Sequence, residues 1–449
     1  MISYRKLAMR VLGHSPVSAV KTARRSTAKR AAALALTAAL VVGMTLPAFA
    51  DTWYIDDGDI SISAGTNGNN VTQGSTTKEN DTDTVITNRE STASSNTVTI
   101  DADEGKTVNV TLDNVTINVD EGYEHGYDPN AYKTAVSVTG SGNTNIELNG
   151  NNTLTSGYGH AGLEHNKTDD SGTLTIQDEK NDDGSAKGSA SDTTGSLTAT
   201  GGYHSAGIGG SDKQDGQVTI TGGEITATGG NGAAGIGGGA GDTDAVGGDG
   251  DVTISGGTIT ATGGSLGAGI GGGAYGNGTV TVTDGDITAK ATGNYGAGIG
   301  GGFGAIPKDT LIGGNGTVTI SGGTITEASG GYMAAGIGSG YQGLGTVTIE
   351  GDAVIKNAQG GEAGAGIGSG TDGDSNILIR GNAIIENAES KTGGAGIGSG
   401  QGDLYPAGDG MVIDPTVGNV TLKATPKSKM QKVVMVVPAL VAALLASAM

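Results

Sequence analysis

The chain has 449 residues, 87 of them glycine, with no cysteine, one tryptophan, two phenylalanines and twelve tyrosines, and its formal charge is −21. Without cysteine, neither disulfides nor thiolate metal sites can hold the fold, and so acidic a surface repels phosphate backbones, which argues against a nucleic-acid partner. With so few large apolar residues, repetition has to supply the core.

Residues 1–50 read as a bacterial secretory signal. A basic start (Arg5, Lys6, Arg10, Lys21, Arg24, Arg25, Lys29, Arg30) precedes an apolar run from Ala31 to about Met44. Small residues in A-x-A order (Ala48, Phe49, Ala50) then mark cleavage before Asp51. The protein is therefore expected to be exported, to the extracellular space or the bacterial cell surface. Those 50 residues hold eight of the basic residues and no acid, leaving 17 basic against 46 acidic, net −29. Residues 51–95 are polar and weakly patterned, and are expected to cap the first coil or stay mobile.

From residue 96 to about 424 the chain repeats. The tetrapeptide A-G-I-G begins at Ala206, Ala234, Ala268, Ala297, Ala335, Ala365 and Ala395, in steps of 28, 34, 29, 38, 30 and 30 residues. Ala161-Gly162-Leu163 is a worn earlier copy. Between copies lie V-T-I-S-G-G, as at Val252 to Gly257, and x-I-T-A-T-G-G, as at Thr258 to Gly264. The period predicts an all-β parallel β-helix, right-handed, of about ten coils with three short strands each. Alternation places Val252, Ile254, Ile259, Ala261, Ala268 and Ile270 inside, and Thr253, Ser255, Thr258, Thr260, Thr262, Gly269 and Gly271 outside. Val108 to Leu112, Ile146 to Leu148, Leu174 to Ile176 and Val420 to Leu422 stand in the V-T-I place. Residues 177–194 read as a loop. Residues 425–449 form a basic flank (Lys427, Lys429, Lys432) and an apolar run, Val433 to Met449, at the lower limit of a membrane span. That run is expected either to associate with a membrane or to pack on the last coil.

At V-T-I-S-G-G-T-I-T-A-T-G-G, with V-N-V-T-L-D-N-V-T-I-N at Val108 to Asn118, the chain resembles bacterial carbohydrate-binding β-helix proteins. These are pectate-lyase-like solenoids that bind cellulose or pectin with bound calcium. The A-G-I-G-G-G arrays also look like Gly-rich repeat surface proteins of the adhesin kind. The resemblance implies a polysaccharide ligand and calcium, although A-G-I-G stands where it leads one to expect a more polar D-G-I segment.

The residues themselves argue against an enzyme. Lyase chemistry needs a basic residue beside calcium carboxylates, yet the mature chain has only Arg89 and Arg380, and Arg380 falls in an outward strand column with Ser255, Ser321 and Glu350. His125, His160, His165 and His204 are scattered, although His160 and His204 flank the Tyr158 and Tyr203 turns and are expected to be neighbours on the stack. Calcium would suit the oxygen-rich turn Asp242, Asp244, Asp249 and Asp251, and Asp212/Asp215 and Asp372/Asp374 are similar clusters; turn propensity alone also accounts for them. Paired outward threonines, Thr226/Thr228 and Thr260/Thr262, resemble the ladders of ice-binding solenoids, but Lys290 and Ala328 interrupt the second column after two rungs. The candidate ligand site is aromatic. Tyr158, Tyr203, Tyr295 and Tyr332 precede A-G-I-G by two or three residues, and Tyr275, Phe303 and Tyr341 follow its first alanine by six or seven. A smooth glycine strip edged by rings would stack on sugar rings, with Asp and Asn supplying hydrogen bonds. The expected function is a cell-surface binding or adhesion protein for a polysaccharide. The alternatives are a structural or protein-binding adhesin rod, and then a polysaccharide lyase.

Overall fold

The computed structural model describes residues 51–120, 122, 132–178, 195–241, 248–293, 295–304, 314–402, 404–407, 410–413 and 418–424. The signal segment with Ala50, His125, Asp242, Asp244 and the Val433–Met449 run lie outside these residues. Among the described residues the chain is all β apart from one short 3-10 turn, Ile55–Asp57, and no described helix is long and apolar enough to cross a membrane.

The repeat becomes a parallel β-helix because each apolar position of one unit finds its own copy in the next. Val218, Val252, Val280, Val318 and Val347 are successive register partners. Ile225, Ile259, Ile287 and Ile325 stack likewise in the second strand. In the third, Ile208 is followed by Ile236, Ile270, Ile299, Ile337, Ile367 and Ile397. All of these residues are buried, and each fully buried valine or isoleucine contributes roughly 1.5–3 kcal/mol. The first two strands of the unit share one 21-stranded sheet, since in two units they run on without a break as Gly250–Gly263 and Gly278–Ala291. The A-G-I-G strands form the long parallel part of a separate 13-stranded sheet.

The worn copies hold their places. Val110, Ile146 and Ile176 are aligned in the first strand, Leu163 pairs with Ile208, and Val420 pairs with Ile377. The stack also starts earlier than the readable repeat. Asp51–Tyr54 pairs in parallel with Thr84–Thr87, and Ile60–Ser63 with Val98–Asp101. Only alternation, as at Ile60 and Ile62, carries these rungs; the turn motif is missing. The outer edge is covered by an antiparallel hairpin, Asn69–Gln73 with Thr76–Asp81. Beneath it the buried Asp81 carboxylate accepts from the Trp53 indole N–H at 3.1 Å and the Thr84 hydroxyl at 3.0 Å. The hairpin moves the open edge of this sheet out to Thr76–Asp81, where the charged Lys78 and Glu79 discourage association. At the opposite end, Ile384 and Leu422 are exposed.

The threonine columns are longer than pairwise inspection suggests. Thr116, Thr153, Thr198, Thr226, Thr260 and Thr288 are consecutive partners. T-x-T pairs thus occupy four rungs, from Thr153/Thr155 to Thr260/Thr262, instead of two. A register shift after Ile287 then places Ser329, not Ala328, opposite Lys290. Arg380 stands on the strand face and pairs with the Glu350 carboxylate of the preceding coil.

His165, in the third column beside Val138, is almost fully buried, and Nδ1–H donates to the Gln217 carbonyl at 2.8 Å. Burial pushes its pKa below the ordinary imidazole value, against the carbonyl bond that raises it. The unfolded chain then binds a proton near pH 6.5 that the folded chain refuses, so stability falls as pH drops below that point. A pH series of urea midpoints should show that fall, at no more than about 1.4 kcal/mol per pH unit for one proton, and His165→Gln should flatten it.

Candidate functional site

The A-G-I-G strand is where the expected ligand face has to be corrected. Its inward residues behave as anticipated: Ala268 and Ile270 are fully buried. Gly269 and Gly271, expected outside, are buried as well, and so are their counterparts in the other units down to Gly396 and Gly398. The strand proper is only two residues long, Ile270–Gly271. The Ala268 amide donates to the Gly272 carbonyl at 2.9 Å, so the chain doubles back immediately. Gly271 has φ +128°, and a Cβ there would collide with the Gly300 carbonyl oxygen of the next coil. A Cβ on Gly269 would lie 2.6 Å from both the Gly298 oxygen and the Lys290 nitrogen. The repeated glycines thus serve close backbone approach, and no smooth exposed strip exists there.

The aromatic residues do gather, in a different arrangement. Backbone bonds join the segment before one motif to the segment after the next: the Tyr341 amide donates to the Tyr295 carbonyl at 3.0 Å, and the Phe303 amide to the Leu266 carbonyl at 2.7 Å; the Tyr275 amide donates to the Phe303 carbonyl of the next coil at 2.7 Å. The two expected edges therefore converge on one corner. Tyr295 lies 4.9 Å from Phe303 and 5.6 Å from Tyr341, ring centre to ring centre. Phe303 stacks on Tyr341 at 5.9 Å and meets Tyr275 edge-on at 5.1 Å. These four rings are half-buried. Tyr332 stays out of the cluster and is 47% exposed. A second group runs along earlier coils: Tyr132 to Tyr158 at 5.5 Å, Tyr158 stacked on Tyr203 at 5.4 Å, and Tyr203 against His204 at 4.1 Å. Here Tyr132 and Tyr158 are buried, so Tyr158 offers little to a ligand.

His160 and His204 are neighbours through the Gly202 amide, which donates to the His160 carbonyl. Each faces a carboxylate on its own coil. His160 Nδ1 lies 2.9 Å from Glu164 Oε2 and 2.8 Å from Thr134 Oγ1; His204 Nδ1 lies 3.3 Å from Asp212 Oδ1. These carboxylate partners escape a reading by motif, since Glu164 occupies a place that is glycine in the later units.

The two described carboxylates of the acidic turn have other partners. Asp249 accepts the Asn277 amide at 2.7 Å and its side-chain NH2 at 3.2 Å, and Asn277 in turn carries the Asn315 amide at 3.2 Å. Burial holds the Asp215 carboxyl above the usual range, with Asp249 adding to it against amide bonds that lower it. Asp251 pairs with Lys167 at 2.7 Å. Asp249 and Asp251 are therefore rungs of a turn ladder and an ion pair, and the described residues contain no group of three or more ligands able to hold a metal.

A family model described as a beta helix repeat matches residues 195–212, 218–240, 252–274 and 318–341. No curated protein and no solved structure matches the chain.

Proposed function

From a chain that is a parallel β-helix built on beta helix repeats, we propose an exported cell-surface binding protein without catalytic activity, whose ligand is a polysaccharide lying along the aromatic corner. The observation that supports this is the gathering of Tyr275, Tyr295, Phe303 and Tyr341, from successive coils, into one half-buried patch. Rings spaced along an axis suit an extended glycan, whose sugar faces are apolar and whose hydroxyls reach outward. The basic start and A-x-A site support export. A second reading, an adhesin rod that engages proteins and uses its rings as packing, is favoured by the burial of Tyr132 and Tyr158.

Affinity electrophoresis through gels containing soluble polysaccharides separates the two. Tyr295→Ala/Tyr341→Ala is expected to weaken retardation about tenfold or more, as a loss of some 1.4 kcal/mol requires, with an unchanged circular dichroism spectrum. Tyr332→Ala, outside the cluster, should bind as the parent does. Equal retardation of parent and double variant would favour the rod.

A further inference from the structure

Resting on the reading that the aromatic turns of this β-helix bind glycans, we infer that Tyr203, His204 and Asp212, in the second ring group, form a subsite for an amino sugar carrying a free ammonium group. Tyr203 is stacked on Tyr158 with the rings only 10° from parallel, and the Asn231 side chain donates to its hydroxyl at 3.3 Å, which fixes the half-buried ring. His204 holds a left-handed backbone, φ +66°, unusual for a residue with a side chain, and sets its ring against Tyr203. The Asp212 amide is tied to the Gly159 carbonyl of the coil beneath at 3.1 Å. Its Oδ1 is shielded from solvent and has no hydrogen bond, although His204 Nδ1 is 3.3 Å away. The Glu164 carboxylate of that lower coil already accepts from His160 or its Thr134 neighbour, from the Ala161 amide at 3.3 Å and from Asn166 at 3.4 Å.

A shielded carboxylate oxygen without a donor is costly to leave as it is. An ammonium group brings three donors and a permanent positive charge, which the His204 imidazole supplies only when protonated, while its sugar ring packs beside Tyr203. A neutral hexose supplies donors without the charge. A uronic acid adds a repelled carboxylate, in a protein whose residues 51–449 carry net −29. N-acetylation removes the ammonium and with it the match to Asp212.

Titration calorimetry of the full chain in about 0.15 M salt, where surface attraction is screened within roughly 8 Å, decides the matter. The probes are a fully deacetylated glucosamine tetramer and the same tetramer N-acetylated. The deacetylated tetramer should bind at least about tenfold more tightly, a difference of some 1.4 kcal/mol. Asp212→Asn should erase that preference and Asp170→Asn, at an exposed turn, should keep it. Equal loss in both variants would mean general charge attraction and overturn the subsite. Equal binding of the two tetramers would overturn the amino-sugar assignment and leave glycan binding standing. Binding of an insoluble neutral glycan but of neither tetramer would overturn it in the same way. The comparison of the two tetramers on the parent chain holds whatever the variants do to folding.

Discussion

Gly271→Ala is expected to abolish native folding of the central coils, whereas Gly105→Ala is expected to be tolerated. At Gly271 two penalties add. A side chain at φ +128° is in a region costing about 1–3 kcal/mol, and the new methyl group must displace the Gly300 carbonyl, part of the next coil's backbone. Together these approach the whole stability of an ordinary domain, about 5–15 kcal/mol. Gly105 also has positive φ, at +69°, but nothing lies within 4 Å of a Cβ there, so only the left-handed penalty of about 1–2 kcal/mol applies. Urea midpoints and limited proteolysis of the two variants check this. Matching midpoints would mean that the A-G-I-G glycines are dispensable to the stack, and that their repetition needs another cause.

The second large effect belongs to the isoleucine column. Ile270 is fully buried between Ile236 and Ile299, and its replacement by alanine should cost about 2–5 kcal/mol. Ile384, 46% exposed at the far end, should cost well under about 1 kcal/mol on the same change. Since each coil touches only its neighbours, the damage should be local. Hydrogen exchange should show amides around residues 236–300 losing protection in Ile270→Ala, while those near Val108 and Ile146 keep theirs. Uniform loss along the whole chain would contradict nearest-neighbour coupling.

The strand columns were legible in the residues because period-two alternation and a recurring tetrapeptide both point to stacking: Val252, Ile254, Ile259, Ala261, Ala268 and Ile270 all lie inside. The surface was less legible. Alternation assigns Gly269 and Gly271 outward, but it governs only extended strands, and a two-residue strand that turns back at Gly272 leaves neither face open. Spacing places Tyr295 and Tyr341 on opposite edges; a backbone bond between them, invisible in spacing, brings them together. Residue type alone does not tell Asp249, which caps the Asn277 amide of the next coil, or Asp251, which pairs with Lys167, from turn carboxylates that bind ions. The first rungs, at Asp51–Tyr54 and Ile60–Ala64, carry no turn motif and so no period. The pairing of His160 with Glu164 and of His204 with Asp212 depends on how far each turn folds back, which residue types alone do not specify.

The most direct measurement is an adsorption isotherm of the full chain on insoluble polysaccharides, namely cellulose, chitin, chitosan and pectin gel, in about 0.15 M salt so that charge is screened. Glycan binding at the aromatic corner predicts saturable depletion on at least one of them, reduced about tenfold by Tyr295→Ala/Tyr341→Ala. No adsorption on any of the four, by a protein with an intact β spectrum, would contradict it.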